Sequence, residues 1–372
     1  MPLANIPAEL IYHILEQGYY TPVGSVDQQT LRACALVSRN WAKPAQQLLF
    51  HSVGVKQCIE FTVLFSRGGL PPGSAARLGG YVRSLDFVFD IHKYIYVTGA
   101  SIRCPSTFVA LLSFFPRLYQ LSLFVSGKGA IPSKCIRQLE ILVATPHRQP
   151  LRALSLMGAS DAPMVLFQLL SVFSSVQFLR LERYSSPRCP PGVAPVKLCE
   201  LNLRFLPELK VLRWILSSSR STLQILDLHV PMLNDDYLAL LIEHAPQVRS
   251  LRLHIGCPDM NLDSLIRACV KLEELVLHQS LDWPSEIPAS LQHLCIDKIA
   301  DETLTVLESL PHLRFLTITT QHASLHHDFH RLVRKCDARR IELSFKRFEA
   351  EDPVHVKHFP RGRSVENFSL MR

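Results

Sequence analysis

Apolar residues recur along this chain in a six-residue pattern, Leu-x-x-Leu-x-Leu, which returns about every two dozen residues. Eight copies keep the pattern closely, with Val or Ile at some leucine positions, and three copies are looser. The eight begin at Leu118, Leu151, Val176, Leu198, Leu223, Val248, Leu272 and Leu291, and the looser three at Val82, Leu313 and Ala338. Because side chains alternate along a strand, each copy predicts one strand whose last two apolar residues point into the core.

Helical patterns lie between the copies of this motif. Apolar residues at helical spacing occupy residues 162–175, 233–247, 261–271 and 300–312. Asn234 and Asp301 are the predicted starts of two of these helices. One strand and one helix at a fixed period describe a solenoid, in which each unit packs on its neighbours, rather than a globular enzyme domain.

This arrangement resembles the leucine-rich repeat, although the copies have no Asn or Cys at the usual ladder position. The resemblance implies an α/β fold, an irregular horseshoe-shaped solenoid with parallel strands inside and helices outside. About eleven such repeats would fill residues 56–345. Residues 346–372 lack the pattern and are predicted to form a C-terminal cap or tail.

The first 55 residues follow a different pattern, with helical spacing of apolar residues over 6–17 and 28–50. Asn5 is the predicted N-cap of the first helix, and Pro7 suits its first turn. Pro44 is predicted to separate two later helices, because proline lacks the N–H that an interior helical position donates. Three short helices bury little surface alone, which is typical of a small module that relies on a partner or neighbouring domain.

The same segment resembles the F-box motif. Ile6-Pro7-Ala8-Glu9-Leu10, followed by Ile14-Leu15, is similar to its opening, and the run from Leu31 to Trp41 is similar to its second half. The resemblance covers about fifty residues, with Ile6 for the usual Leu and Ser38 for the usual Cys. It implies an all-α F-box domain over residues 1–55. The alternative is an unrelated N-terminal cap on the repeats.

In F-box proteins the helices dock on the Skp-type adaptor of a cullin–RING ubiquitin ligase, and the repeats hold a substrate. The resemblance therefore implies a non-catalytic, substrate-recruiting subunit of an SCF-type ligase, with a Skp-type adaptor, a cullin scaffold and a target protein as partners and no cofactor. Carried over position by position, the adaptor-binding candidates are Ile6, Pro7, Leu10, Ile11, Ile14, Leu15, Leu36, Val37 and Trp41. Some of them must form the core of the module itself, and the sequence does not divide them.

Composition and motifs narrow the alternatives. The 372 residues carry a net charge of +8 but no run of five basic residues, which favours a solvated surface over a nucleic-acid-binding solenoid. A secretory signal and a membrane-spanning apolar stretch are not predicted, and ten scattered cysteines without a Cys-x-x-Cys pair indicate a reducing compartment, cytoplasmic or nuclear. Common catalytic motifs are missing from the sequence. A leucine-rich-repeat scaffold without a link to ubiquitination is the main rival function.

The x positions of the motif should face the concave side of the strands. Because neighbouring parallel strands lie about 4.8 Å apart, His229, His254 and His278 should form one lateral row. Arg180, Asp227 and Arg252 are expected in the adjacent row. The candidate substrate-binding residues are Arg180, Arg204, Asp227, His229, Arg252, His254 and His278.

Three interpretations of these polar rows are open. A metal site is not predicted, because a straight row of three histidines spreads its outer members about 9–10 Å apart, too far for one ion. The residues would otherwise form a solvated polar face, or a recognition patch in which Arg and His bind an acidic or phosphorylated segment of a target protein.

Overall fold

The computed structural model describes residues 6–19, 26–54, 73–91, 96–97, 100–101, 105–159, 162–184, 189–230, 232–255, 262–278, 286–300, 302–319 and 326–345. Residues up to Phe173 form a first compact unit, and residues from Ser174 onward form a second. Among the described helices, none combines the length and the apolar character needed to cross a bilayer.

The first unit opens with three helices, as the sequence predicts. They are α1 Ala8–Gln17, α2 Gln28–Val37 and α3 Arg39–Leu49. Asp27 caps α2, because its side chain accepts a hydrogen bond of 3.0 Å from the backbone N–H of Thr30. The three helices share a core of their own, formed by Ile11, Leu15, Tyr19, Leu31, Ala45 and Leu48.

Two predicted helix boundaries differ from the structure. The break between the second and third helices lies at Ser38, whose backbone is extended, and Pro44 is buried inside α3. Ser38 can start α3 because its carbonyl accepts from the N–H groups of Trp41 and Ala42, and the loss of one hydrogen bond at Pro44 is tolerated where its ring is buried. The residue before α1 is Pro7 rather than Asn5, which lies outside the described residues.

All eleven predicted strands are confirmed, and ten of them begin two residues after the start of their motif copy. In the first unit β1 Ser52–Val53, β2 Ser84–Asp90, β5 Gln120–Ser126 and β6 Ala153–Met157 pair in parallel in that order. In the second unit eight further strands also pair in parallel in chain order. They are β7 Phe178–Glu182, β8 Glu200–Leu203, β9 Ile225–Val230, β10 Ser250–Ile255, β11 Glu274–His278, β12 His293–Ile296, β13 Phe315–Ile318 and β14 Glu342–Phe345. A short antiparallel hairpin joins β3 Tyr96–Val97 to β4 Ala100–Ser101.

Helices separate many of these strands. They are α4 Ser74–Gly79, α5 Pro105–Ser113, α6 Ser133–Val143, α7 Met164–Val172, α8 Leu209–Leu216, α9 Asp235–His244, α10 Asp263–Ala268, α11 Thr303–Ser309 and α12 Phe329–Arg339. The predicted cap of α9 is confirmed, because the Asn234 side chain accepts from the Tyr237 N–H at 3.1 Å. Asp301 lies outside the described residues, and α11 begins at Thr303.

The leucines of the motif form the core, as predicted. Leu226, Leu251 and Leu275 stand side by side on β9, β10 and β11, and all three are buried. Burial of each such side chain stabilises the fold by about 1.5–3 kcal/mol. Within each unit the chain order of paired strands is the order that a solenoid requires. The horseshoe curvature and the domain boundaries near residues 55 and 345 stay predictions.

His51 connects the three helices to the first repeat strand. Its ring packs edge-on against Tyr19 of the helical core, with ring centroids 6.1 Å apart. Its backbone carbonyl accepts from the N–H groups of Arg83 and Ser84, at the start of β2. Burial, with a smaller contribution from the charge of Arg83, lowers the pKa of His51 from 6.5 to about 4.

This lowered pKa predicts a pH dependence of stability in the first unit. The neutral form of His51 favours the fold, so its contribution is complete above pH 6.5 and is lost as the pH falls towards 4. The loss amounts to at most about 3 kcal/mol. In urea denaturation over this range, the unfolding free energy of the wild type should fall more steeply than that of His51→Gln. Parallel pH profiles of the two proteins would contradict the account.

Candidate functional site

Helix α1 carries two apolar stripes, each with residues four positions apart. Ile11 and Leu15 point into the core of the three helices and are buried. On the other stripe Leu10 and Ile14 are 53% and 52% exposed, and Ile6, two residues before α1 begins, is 40% exposed. Residues four apart lie above one another on a helix, so Leu10 and Ile14 form one apolar strip on the surface of α1.

The end of α2 carries a further pair of exposed apolar residues. Leu36 and Val37 are its last two residues and are 87% and 66% exposed. Pro7, just before α1, is exposed as well, whereas Trp41 is half-buried against the helical core. The structure thus divides the nine adaptor-binding candidates. We define the exposed apolar face as Ile6, Leu10, Ile14, Leu36 and Val37.

In the second unit the polar x positions fall into the predicted rows. The pairing of β9 with β10 sets His229 beside His254 and Asp227 beside Arg252, and β11 sets His278 beside His254. The side chain of His278 lies outside what the structure describes. These registers confirm the lateral order of the two rows.

Arg180 and Asp227 belong to the same lateral row, and β8 lies between their strands. Arg180 pairs in register with Asn202, and Asn202 pairs with Asp227. The side-chain amide of Asn202 donates to Oδ2 of Asp227 at 3.0 Å. Asp227 is thereby held in one orientation by a neighbouring strand.

Arg252 and Asp227 are not accessible contact residues, because their exposed fractions are 2% and 1%. The guanidinium of Arg252 donates from Nε to Glu274 Oε1 at 2.7 Å, and the hydroxyl of Ser250 donates to the same oxygen at 2.6 Å. His293 lies 3.2 Å from the other oxygen of Glu274. This buried polar network joins three adjacent strands and acts within the fold.

Arg180 and Arg204 lie nearer the surface, but each has partners. Arg180 donates to Oε1 of Glu182 at 3.0 and 2.5 Å. Arg204 lies 3.9 Å from the same oxygen through Nε, and its Nη1 is 3.1 Å from Nδ1 of His229. The three arginines of the predicted recognition patch are thus each paired with a carboxylate, which lowers the positive charge available to an acidic target.

Asp227, His229 and His254 form a compact group. Oδ1 of Asp227 is 3.0 Å from Nε2 of His229 and 3.6 Å from Nε2 of His254. The two imidazoles stack with centroids 3.6 Å apart. The expected separation of 9–10 Å applies to the ends of the histidine row. Asp227 comes from the neighbouring row, so the expectation that this ladder is too wide for one ion does not hold for these three residues.

A second group of possible metal ligands consists of three consecutive residues, 326–328. His326, His327 and Asp328 precede α12, and their ligand atoms also lie within 4.8 Å of one another. His327 is exposed, and Nδ1 of His326 accepts a hydrogen bond from the backbone of Asp328.

No protein-family model matches the chain, and comparison with curated proteins finds none similar to it. The two features that bear on function are the exposed apolar face of the helices and the polar face of the second unit.

The buried Arg252–Glu274 pair allows a test of the polar network. Arg252→Met or Glu274→Gln alone leaves one buried charge without its partner, which should lower the unfolding free energy by about 3–5 kcal/mol. The double variant removes both charges and should lose less than the sum of the two single losses. Urea denaturation of all four proteins measures this coupling. Strictly additive losses would show that the two charges do not stabilise one another.

Proposed function

We propose that this chain recruits a target protein to an SCF-type ubiquitin ligase. In this proposal the three N-terminal helices bind a Skp-type adaptor and the repeats bind the target. The observation that carries the proposal is the exposed apolar face, formed by Ile6 just ahead of α1, by Leu10 and Ile14 on α1, and by the last two residues of α2.

The three helices have a core of their own, and the residues of the exposed apolar face are not part of it. Ile11, Leu15 and Leu31 fill that core, so the exposed residues are not needed to complete it. Exposed aliphatic side chains that lie next to one another, as Leu10 and Ile14 do on α1, often mark a surface that a partner covers. All five residues of the face are positions at which the F-box resemblance implies contact with the adaptor.

The repeats supply the second half of the proposed function. Arg180, Arg204, His229 and His254 keep part of their surface exposed at the same side of their strands. The chain itself makes no bond in this scheme, since it raises the effective concentration of the target near the ligase. That the target is acidic or phosphorylated stays a prediction, and the carboxylate partners of the arginines weaken it.

The rival function is a protein-interaction scaffold with no link to ubiquitination. It uses the repeats in the same way but assigns no partner to the exposed apolar face. Adaptor binding therefore separates the two functions, and it can be measured without knowing the target.

Ile14→Glu places a charge within the exposed apolar face, next to Leu10 on α1. We expect this variant of the full chain to bind purified Skp-type adaptor roughly tenfold or more weakly than wild type, because a charge would be buried without a partner in the interface. Leu36→Glu should act in the same way from α2. Isothermal titration calorimetry measures the dissociation constants, and circular dichroism checks that each variant is folded.

Ile141→Glu is the matched control. Ile141 is an isoleucine of the same unit, on α6, and is 72% exposed, so this variant should bind the adaptor like wild type. Equal binding by wild type and Ile14→Glu would contradict the proposal. An equal loss in Ile141→Glu would do so too, because it would indicate general adhesion of apolar surface.

A further inference from the structure

The group Asp227, His229 and His254 offers three ligand atoms from two adjacent strands. Oδ1 of Asp227 lies 3.0 and 3.6 Å from the Nε2 atoms of His229 and His254. Tetrahedral zinc with bonds of about 2.0–2.1 Å places its ligand atoms about 3.3 Å apart. The two distances bracket this value, so little movement of the backbone is needed to bring these atoms around one ion.

The surroundings of Asp227 resemble the outer shell of a metal site. Metal-binding carboxylates are usually held by a further hydrogen bond, which leaves one oxygen directed at the ion. Asn202 provides such a bond to Oδ2 of Asp227, so Oδ1 is the oxygen that faces the two histidines. Imidazole and carboxylate together suit Zn²⁺ and similar divalent transition metals.

Two buried polar atoms beside Asp227 support a further ligand in this place. Oδ1 of Asn202 and Nη2 of Arg252 make no hydrogen bond within the described part of the chain. Both residues stand directly opposite Asp227 on the neighbouring strands. Buried polar atoms normally have a partner. A water molecule bound to an ion gives its lone pair to the metal and donates hydrogen bonds, which suits Oδ1 of Asn202. Nη2 of Arg252 needs an acceptor, such as a hydroxide bound to the ion.

One contact opposes metal binding, and it gives the inference its sharpest test. Arg204 only donates hydrogen bonds, so Nδ1 of His229, 3.1 Å from Nη1, must be the acceptor. The ring proton then lies on Nε2, the nitrogen that faces Asp227. An ion at Nε2 requires this proton to move to Nδ1, and Arg204 has to turn away, for which Glu182 is a ready partner.

We propose that Asp227, His229 and His254 bind a divalent transition-metal ion of the Zn²⁺ type, with a fourth position open to water or to a side chain of a partner. The nearly parallel rings, 8° apart, need a rotation of at least one imidazole so that both Nε2 atoms point at the ion. The site is independent of the adaptor-binding role of the helices, which lie in the other unit.

The test is Zn²⁺ binding by the full chain without an affinity tag, measured against a chelating dye. His326→Ala/His327→Ala serves as the background, because it removes the second group of potential ligands. In this background we expect one Zn²⁺ per chain. Adding His254→Gln should weaken Zn²⁺ binding at least about tenfold. Asp227→Asn, which changes a buried ligand, should weaken it as well. Absorption of bound Co²⁺ in the visible range reports whether the geometry is tetrahedral.

Arg204→Met distinguishes a metal site from a purely structural polar network. It removes the donor that occupies Nδ1 of His229, so Zn²⁺ binding should become about tenfold tighter. Folded protein that binds no stoichiometric Zn²⁺ in the background variant would overturn the proposal. Unchanged binding in His254→Gln, or weaker binding in Arg204→Met, would also overturn it.

Discussion

The in-register parallel pairing of the repeat strands is the constraint on which most of this structure depends. Because side chains alternate along each strand, one register fixes both faces at once. It places Leu226, Leu251 and Leu275 side by side in the core and sets Asp227 beside Arg252 on the other face. A shift of one residue in any pair would bury the polar row among leucines, so the core and the polar networks stabilise the same register.

Much of the fold follows from local patterns, and the differences have local causes. The motif predicts eleven of the described strands because its period-two alternation is strong, and Asn234 predicts a helix start because its side chain caps the backbone. The prediction that Pro44 separates two helices was wrong, because α3 tolerates one missing hydrogen bond at this buried proline. Ser38 is itself a residue type that favours helix starts, although its side chain makes no capping hydrogen bond at the start of α3.

The candidate site could be predicted less fully, because packing decides which residues are buried and which side chains contact one another. Helical spacing identifies both stripes of α1, but which stripe is buried is decided by where α2 and α3 pack. Likewise, lateral rows follow from strand spacing, whereas the contacts between rows depend on side-chain reach. Asp227 contacts His229 two residues further along its own strand, a contact that lateral spacing alone does not reveal.

The proposed function assigns one binding surface to the helices and one to the repeats, and its central claim is that the exposed apolar face binds a Skp-type adaptor. Hydrogen–deuterium exchange of the full chain with and without purified adaptor tests it most directly. The account predicts slower exchange in α1 and α2 on binding, with β9, β10 and β11 unchanged. Unaltered exchange in α1 and α2 at saturating adaptor, or protection confined to the repeat strands, would contradict it.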